Sequence, residues 1–433
     1  MFNASKKIYP LITCILFVMC LLLAGCDQQE KVVSKQAILS ELDVWVHTGN
    51  KAALLLRQDQ VARFNARHSR IKVTLVSIPK GTYDAQVDAA IRTGTLPDII
   101  ELDGPSIPSF ASRGALMKLD KILTTTTRED ILPAVLEQGM YQGRIYSVAE
   151  TSHVSVLYAR KSLLDVTRYR IPTDSSDAWG LPEFEALLNS ALKHDDYAAA
   201  IDIGLNNLEQ SFAKTIYPML LSAGGGLVDE HSPYQADGVL NSARNIDFLK
   251  RIQGWIDKGY VDKNSDHKAF INGRVAFSWA GLDKYSAYKN KFGDDLVVVP
   301  LPDFGFGSQY VQHAWGWGLT RNCVDTQASM RFLEFLFQPE EVYLAAQASG
   351  GVPGTYSGIT DFDAFDGMPS ITPLIDAHKS GRVVSQLKSP FYPVTSDAFQ
   401  RAFVRIKNDA LIEPALMDAV TLIDQQRKKS EVE

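Results

Sequence analysis

Aromatic and polar residues lie at or near the ends of two predicted β-strands. Trp45 lies in the predicted strand 42–46, His47 directly follows that strand, and Asp103 follows the predicted strand 96–102. In open α/β sheets, ligands bind beyond the carboxyl ends of the strands. An indole offers an apolar face, whereas an imidazole and a carboxylate offer hydrogen bonds, and small-molecule pockets combine these groups. The three side chains therefore predict a binding site at one edge of a sheet.

Motifs of nucleophilic, metal-dependent and phosphate-transferring enzymes are missing from the sequence. The eight histidines include no pair spaced four residues apart, which a helical metal site would need. Neither a Gly-x-Ser-x-Gly elbow nor a Gly-x-x-x-x-Gly-Lys loop occurs. The sequence therefore predicts no catalytic residue, no metal ligand and no cofactor.

The N-terminal segment has the pattern of a secretion signal that ends in a lipid anchor. Two lysines precede the apolar run 8–24, which is typical of a signal peptide. The sequence Leu-Ala-Gly-Cys at 23–26 resembles the bacterial lipobox, in which the chain is cut before the cysteine and the thiol is acylated. We therefore expect a signal peptide over 1–25, lipidation of Cys26 and a polar tether over 26–38.

Asp27 and the remaining cysteines extend this prediction. Asp27, directly after the lipobox, resembles the retention signal of inner-membrane lipoproteins. The predicted location is the cell envelope, with the lipid in the cytoplasmic (inner) membrane and the folded body facing the periplasm or the exterior. Cleavage would remove Cys14 and Cys20, so Cys323 would be the one free thiol and no internal disulfide could form.

Strands and helices alternate along the body of the chain. Strands are predicted at 42–46, 71–78 and 96–102, with helices at 51–68 and 83–93 between them. This alternation is typical of parallel α/β construction with right-handed crossovers.

The first predicted helix has an apolar stripe. Leu55, Val61 and Phe64 are expected to share its inner face.

Composition favours a folded, water-soluble body of more than one domain. The chain has 433 residues, of which 45% are hydrophobic and 22% charged, and these fractions are ordinary for globular proteins. At about 150 residues a domain, this length suggests at least two domains. The net charge of −6 argues against a nucleic-acid partner.

Seven short patches match one protein family in their order along the chain. They are DVW at 43–45, FNARH with IKV at 64–73, TGTLPDI at 93–99, GALMKL at 114–119, GRIY with LYARK at 143–161, NGRVAF at 272–277, and FLEFL with GGVP at 332–353. Together they resemble the extracellular solute-binding proteins of ABC importers, of the maltose-binding type. Two details depart from the family: Ala159-Arg160 replaces the usual asparagine pattern, and 148–150 lacks a common proline.

The resemblance implies a two-lobe α/β fold of the type II periplasmic binding proteins, each lobe a sheet flanked by helices. The chain would cross between the lobes near 150–153, 313–317 and 350–355. The implied boundaries are 39–151 plus 316–351 for the first lobe, 152–314 plus 355–425 for the second, and 426–433 for a charged tail. The ligand would lie in the cleft and be trapped by hinge closure.

The resemblance also places further side chains in the cleft. They follow a strand or lie on a predicted crossing, and they are Glu150, His153, Trp279, Asp283, Tyr285, Trp315 and Trp317. With Trp45, His47 and Asp103 they would present aromatic faces to sugar rings and hydrogen-bonding groups to hydroxyls. The alternative is that the tryptophans belong to the core and that the aspartates cap helices.

The function implied is capture of a mono- or oligosaccharide and its delivery to an ABC permease, by a monomer without enzymatic activity. A glycerophosphodiester or a polyamine is an alternative solute: Arg144 or Arg160 at the cleft would favour a phosphate, and an acidic cluster would favour an amine. A sensory binding protein for a receptor kinase is another alternative. The last is a glycoside hydrolase that uses Asp103 and Glu150 as its carboxylate pair.

Overall fold

The computed structural model describes residues 39–194, 196–206, 212–230, 234–264, 268–363 and 372–430. The predicted signal peptide, Cys26 and the tether lie outside these ranges. Within them, no helix combines the length and the hydropathy that crossing a bilayer requires.

The first sheet begins with strands that alternate with helices. Its opening elements are β1 (Ser40–His47), α1 (Lys51–Arg67), β2 (Ile71–Ile78), α2 (Lys80–Thr93) and β3 (Ile99–Asp103). Strand β1 pairs in parallel with both β2 and β3. Helix α1 begins after Asn50, whose side-chain oxygen accepts hydrogen bonds from the first free N–H groups of the helix. These elements confirm the predicted parallel α/β construction.

The buried face of α1 differs from the predicted one. Val61 and Phe64 are buried as expected, but Leu55 is 55% exposed. At ~100° a residue, six positions place Leu55 about 120° around the helix from Val61, away from the sheet.

Short elements lead from β3 to the second sheet. They are α3 (Ile107–Ser112), α4 (Thr125–Asp130), α5 (Pro133–Gln138), β4 (Met140–Tyr141), β5 (Arg144–Ile145) and β6 (Thr151–Ser152).

The second sheet has the strand order β10-β7-β9-β8. This part of the chain comprises β7 (Ser155–Arg160), α6 (Lys161–Thr167), α7 (Leu181–Leu192), β8 (Ile201–Asp202), a π-helical turn (Phe212–Ile216), α8 (Tyr217–Ser222), α9 (Ala243–Asp257), β9 (Phe277–Gly281), α10 (Tyr285–Phe292), β10 (Leu296–Val299) and β11 (Tyr310–Gln312). Strand β7 is antiparallel to both neighbours, and β8 is parallel to β9. The sheet is therefore mixed.

The chain then returns to the first sheet and ends in helices. The remaining elements are β12 (Trp315–Leu319), α11 (Thr326–Leu336), α12 (Pro339–Ser349), β13 (Val352–Pro353), α13 (Tyr356–Asp363), α14 (Thr372–Lys379), β14 (Val383–Ser385), α15 (Tyr392–Lys407) and α16 (Ile412–Ser430). Strand β12 lies antiparallel beside β3 and completes the order β12-β3-β1-β2. Helix α16 continues to Ser430, into the segment predicted as a charged tail.

Three stretches of backbone between the sheets are hydrogen-bonded to one another. Strand β6 pairs with β13, and His153 and His313 exchange backbone hydrogen bonds of 3.0 and 2.9 Å. Val148 and Trp317 do the same at 3.0 and 2.7 Å. These stretches coincide with the predicted crossings. We call the part built on the first sheet lobe 1 and the part built on the second sheet lobe 2.

Cys323 lies between β12 and α11. Its thiol is free and buried, with Sγ 3.2 Å from Ser329 Oγ. Burial raises the pKa of this thiol.

Candidate functional site

A cavity of about 320 Å³ is lined by both lobes and by the hydrogen-bonded stretches between them. Its volume is near the lower end of the range of about 300–1,000 Å³ for small-molecule pockets. The lining residues are His47, Gly49, Asn50, Ala53, Arg57, Lys80, Glu101, Thr151, His153, Val154, Lys214, Gly281, Leu282, Asp283, His313, Trp315, Ser349 and Gly350.

Strand ends of the first sheet supply the lobe 1 wall. His47 comes from the end of β1, Glu101 from β3 and Trp315 from the start of β12. His47 Nδ1 lies 2.8 Å from Glu101 Oε2. The imidazole also stacks on the Trp315 indole, with ring centroids 3.6 Å apart and planes at 19°. One hydrogen bond and one ring contact therefore fix the orientation of His47.

Arg57, from the middle of α1, lies between two carboxylates behind this wall. Its Nη2 forms an ion pair with Glu150 and lies 3.6 Å from Glu101 Oε1. Trp317 Nε1 donates to the second oxygen of Glu150 at 2.7 Å, and the guanidinium carbon lies 4.8 Å from the Trp317 ring centroid. We call Arg57, Glu101, Glu150, Trp317 and His47 the Arg57 network.

The Arg57 network keeps its charges despite burial. Burial alone would lower the pKa of Arg57, but the charges of Glu150 and Glu101 outweigh it and the pKa is raised. Burial alone would raise the pKa of Glu101, but the hydrogen bond from His47 and the charges of His47 and Arg57 lower it. Both groups are therefore ionised at neutral pH.

The lobe 2 wall has fewer polar contacts. Lys214 comes from the π-helical turn, and Asp283 follows β9. Asp283 Oδ2 forms an ion pair with Lys284 Nζ at 2.8 Å. Burial lowers the pKa of Lys214, and the positive charges of Lys284 and Lys80 lower it further, against the opposing effect of Asp283.

Two histidines line the cavity where the lobes meet. The rings of His153 and His313 lie parallel within 17°, with centroids 5.4 Å apart. Burial, with a contribution from Lys214, lowers the pKa of His153 to about 4. Burial and the neighbouring His153 lower the pKa of His313 well below its usual value. Both rings are therefore neutral at pH 7, and each has one N–H donor and one acceptor nitrogen.

A second cavity of about 310 Å³ adjoins the first. The two share Asn50, Leu282, Asp283, Ser349 and Gly350, and Tyr285 lines the second. Together they form a groove that is longer than the first cavity alone.

Gly350 lets the end of α12 approach lobe 2 closely. Its φ of +73° is in the left-handed region, and a Cβ here would lie 2.9 Å from Asp283 Cα and Cβ. Any other residue would therefore be strained and would displace Asp283.

The structure brings about half of the predicted site residues to the groove. His47, His153, Asp283 and Trp315 line the first cavity, and Tyr285 lines the second. The other five lie outside both cavities.

Glu150 and Trp317 lie behind the lobe 1 wall, within the Arg57 network. Trp45 packs against the hydrophobic cluster on one side of the first sheet. Trp279 is buried in lobe 2, where its Nε1 donates to the Lys214 carbonyl at 3.2 Å. Asp103 pairs in register with Trp315 but does not line the cavity, and loss of hydration raises its pKa to about 6.

Five charged or imidazole-bearing residues of the cavity were not predicted. Glu101 lies within β3, and Lys80 lies two residues after β2, so both are near the carboxyl end of a strand, as His47 is. His313 marks the start of the second predicted crossing. Arg57 and Lys214 lie inside helical segments, where no sequence pattern indicates that their side chains face a cavity.

Neither arginine that would have favoured a phosphate lies at the cavity. Arg160 Nε is 2.5 Å from Asp295 Oδ2, and Arg144 is a largely exposed residue whose Nη1 lies 3.8 Å from Asp120. Across the described ranges, no group of three or more acidic, histidine or cysteine side chains is arranged to hold a metal ion.

Residues 59–361 match the family described as bacterial extracellular solute-binding protein. Among curated protein sequences, none matches the chain.

Solved structures of low sequence identity share the fold. The sugar-binding protein MalE of Xanthomonas citri has a TM-score of 0.76 at 18% identity, covering 90% of this chain and 98% of that one. A cyclic α-maltosyl-1,6-maltose binding protein of Arthrobacter globiformis has a TM-score of 0.74 at 17% identity, covering 90% and 100%. The extracellular solute-binding protein of Staphylococcus aureus, in complex with maltose, has a TM-score of 0.72 at 20% identity, covering 90% and 98%. The predicted two-lobe fold is thereby confirmed.

Proposed function

The chain belongs to the bacterial extracellular solute-binding proteins, and on that premise we propose that it captures a carbohydrate in the groove between its lobes and delivers it to an ABC permease. The observation that carries the proposal is the lobe 1 wall. There an indole from the start of β12, an imidazole from the end of β1 and a carboxylate from β3 converge at one edge of the first sheet. Sugars present apolar ring faces and many hydroxyls, which these groups complement.

The volume of the cavity and the similarity to solved sugar-binding proteins support the same class of ligand. A first cavity of about 320 Å³ accommodates one or two sugar units, and the adjoining cavity extends the groove for a longer ligand. Similar structures include proteins named for binding maltose and cyclic α-maltosyl-1,6-maltose. Because residues of both lobes line the groove, closure of the lobes would bury the sugar and create the surface that a permease recognises.

Calorimetric titration of the detergent-solubilised full chain with a panel of mono- and oligosaccharides tests the carbohydrate proposal. We expect one-to-one binding of at least one sugar, which is recovered unchanged by mass spectrometry after prolonged incubation. Absence of binding across the panel would contradict the proposal, and cleavage of the bound sugar would favour a hydrolase.

We propose further that a lipid on Cys26 holds the protein at the cell membrane and that it acts as a monomer. Replacement of Cys26 by alanine should move the protein from the membrane fraction to the soluble fraction, because the acyl chains supply the anchoring free energy. Replacement of the buried Cys323 by alanine serves as the control and should leave the protein in the membrane fraction.

A further inference from the structure

Two lysines line the first cavity from opposite lobes. Lys80 is the first residue of α2, directly after β2 of lobe 1, and Lys214 lies in the π-helical turn of lobe 2. Neither ammonium group has a carboxylate of the described residues within ion-pair distance. They are close enough for the charge of Lys80 to lower the pKa of Lys214, after the larger effect of burial.

The acidic side chains that line the cavity are already engaged. Glu101 accepts the hydrogen bond of His47 and faces Arg57, whereas Asp283 is bonded to Lys284 at 2.8 Å. Asp103 and Asp283 act on Lys214 through space, but the pKa of this lysine remains lowered despite them. A solute that enters the cavity therefore meets two ammonium groups with no ion-paired carboxylate among the described residues, although Asp103 and Asp84 act on Lys80 through space.

The two ammonium groups repel each other across a partly desolvated space. This repulsion opposes lobe closure, because closure would bring both charges further into a region of low dielectric constant. An anionic group between them would convert this repulsion into two attractions, one to each lobe. Lysine binds carboxylate and phosphate oxygens as a compact point charge.

We propose that the solute carries an anionic group, a carboxylate or a phosphate, and that this group binds between Lys80 and Lys214. The inference rests on the proposed carbohydrate function and narrows it to acidic sugars. Because one lysine comes from each lobe, the anion would also bridge the lobes in the closed state.

Matched pairs of acidic and neutral sugars test the inference. Calorimetric titration of the detergent-solubilised full chain would compare D-galacturonate with D-galactose, D-glucuronate with D-glucose, their disaccharides, and D-glucose 6-phosphate with D-glucose. We expect at least one acid to bind at least about tenfold more tightly than its neutral partner, as a charge-assisted hydrogen bond would produce. The uronate and phosphate arms distinguish the two anions, and added salt should weaken the binding of the acid alone.

Single replacements of the two lysines by methionine test the position of the anion. K80M and K214M should each weaken binding of the acid between about tenfold and a hundredfold, with little effect on the neutral sugar. Replacement of Lys72 provides the matched control, since it removes the same charge near the far end of β2, about 20 Å from Ile78 at ~3.3 Å a residue. K72M should bind the acid as the native protein does, and urea midpoints would show that all three variants fold.

Two outcomes are adverse, and they differ. If a neutral sugar binds as tightly as its acid and the lysine variants bind normally, the inference is overturned and the carbohydrate function stands. If no sugar binds, acidic or neutral, the carbohydrate function fails and the inference fails with it.

Discussion

The Arg57 network of the lobe 1 wall is a closed set of ion pairs and hydrogen bonds, whereas the lobe 2 wall presents a lysine without a paired carboxylate among the described residues. In lobe 1, Arg57 and His47 contact Glu101, and Trp317 donates to the second oxygen of Glu150. In lobe 2, Lys214 is close to another cation, and the carboxylate of Asp283 is taken by Lys284.

The two walls therefore contribute to binding in different ways. The groups of the lobe 1 wall are oriented before a solute arrives, so their contribution to affinity requires little ordering on binding. The groups of the lobe 2 wall gain their partners when a solute is present. We therefore expect substitutions within the Arg57 network to change stability and affinity together, and substitutions of Trp315, Lys80 and Lys214 to change affinity more than stability.

Replacement of Arg57 by methionine is the most severe test of the lobe 1 network. It leaves two buried carboxylates without their cation, and we expect the free energy of unfolding to fall by about 3–5 kcal/mol. Urea denaturation measures this loss. R113M removes an exposed ion pair with Asp88 in the same lobe and should cost less than about 1 kcal/mol. Equal losses in the two variants would contradict the network.

The histidines between the walls predict an acid-sensitive fold. His153 has a pKa of about 4 when folded and about 6.5 when unfolded, so the unfolded chain takes up more protons and stability falls as pH drops from about 6.5 to about 4. Full protonation corresponds to about 3 kcal/mol. Asp103, with its pKa raised to about 6, acts in the opposite direction, because the folded chain binds its proton first.

Urea unfolding of native and H153Q proteins between pH 4 and pH 7 isolates the histidine. The variant should lose less stability on acidification than the native protein. A native protein whose acid sensitivity is unchanged by H153Q would show that the ring is not held neutral by the fold.

Trp315 should contribute to the site more than to the fold. Its replacement by alanine removes the indole that stacks on His47, and we expect affinity for the best sugar of the panel to fall by about 1–2 kcal/mol, or roughly five- to thirtyfold. W45A is the control, since Trp45 lies on the same sheet but does not line the cavity. Its affinity should stay native; a larger loss of affinity in W45A than in W315A would reverse the assignment.

Replacement of Gly350 tests the contact between the end of α12 and Asp283 of lobe 2, and its expected effect is the smallest. Both G350A and G94A place alanine in the left-handed region, at φ values of 73° and 71°, which costs about 1 kcal/mol of stability. Only Gly350 lies against Asp283, whereas Gly94 has no atom within 4 Å of an added Cβ. We therefore expect G350A to lower both the urea midpoint and the affinity for sugar, because Asp283 must shift, whereas G94A should lower the midpoint less and leave the affinity native. Equal affinities would mean that lobe 2 can move aside without loss.

The strands and helices were predictable because they depend on local sequence patterns. The run 71–78 became β2 with the same bounds, and the helix predicted at 51–68 ends one residue earlier, at Arg67. Leu55 was wrongly assigned to the inner face of α1. The prediction considered its hydrophobicity but not the angle around the helix that separates it from Val61, six residues later.

The cavity was less predictable, because its walls form by tertiary contact. His47 could be placed from the end of its strand, and Lys80 was reachable by the same rule. Arg57 looks like a surface residue among polar neighbours on α1, and only the return of β12 beside β3 brings Trp317 and Glu150 to it. Trp279 has the same residue type as Trp315, yet the second sheet turns it into the core.

The buried thiol between β12 and α11 can report how often the structure around it opens. If the N-terminus is processed as predicted, Cys323 is the single thiol left to react. Burial and a raised pKa protect it in the native state, so a thiol reagent can modify it only when the surrounding structure opens. The modification rate then measures how often lobe 1 opens locally. A solute bound against the first sheet should lower this rate.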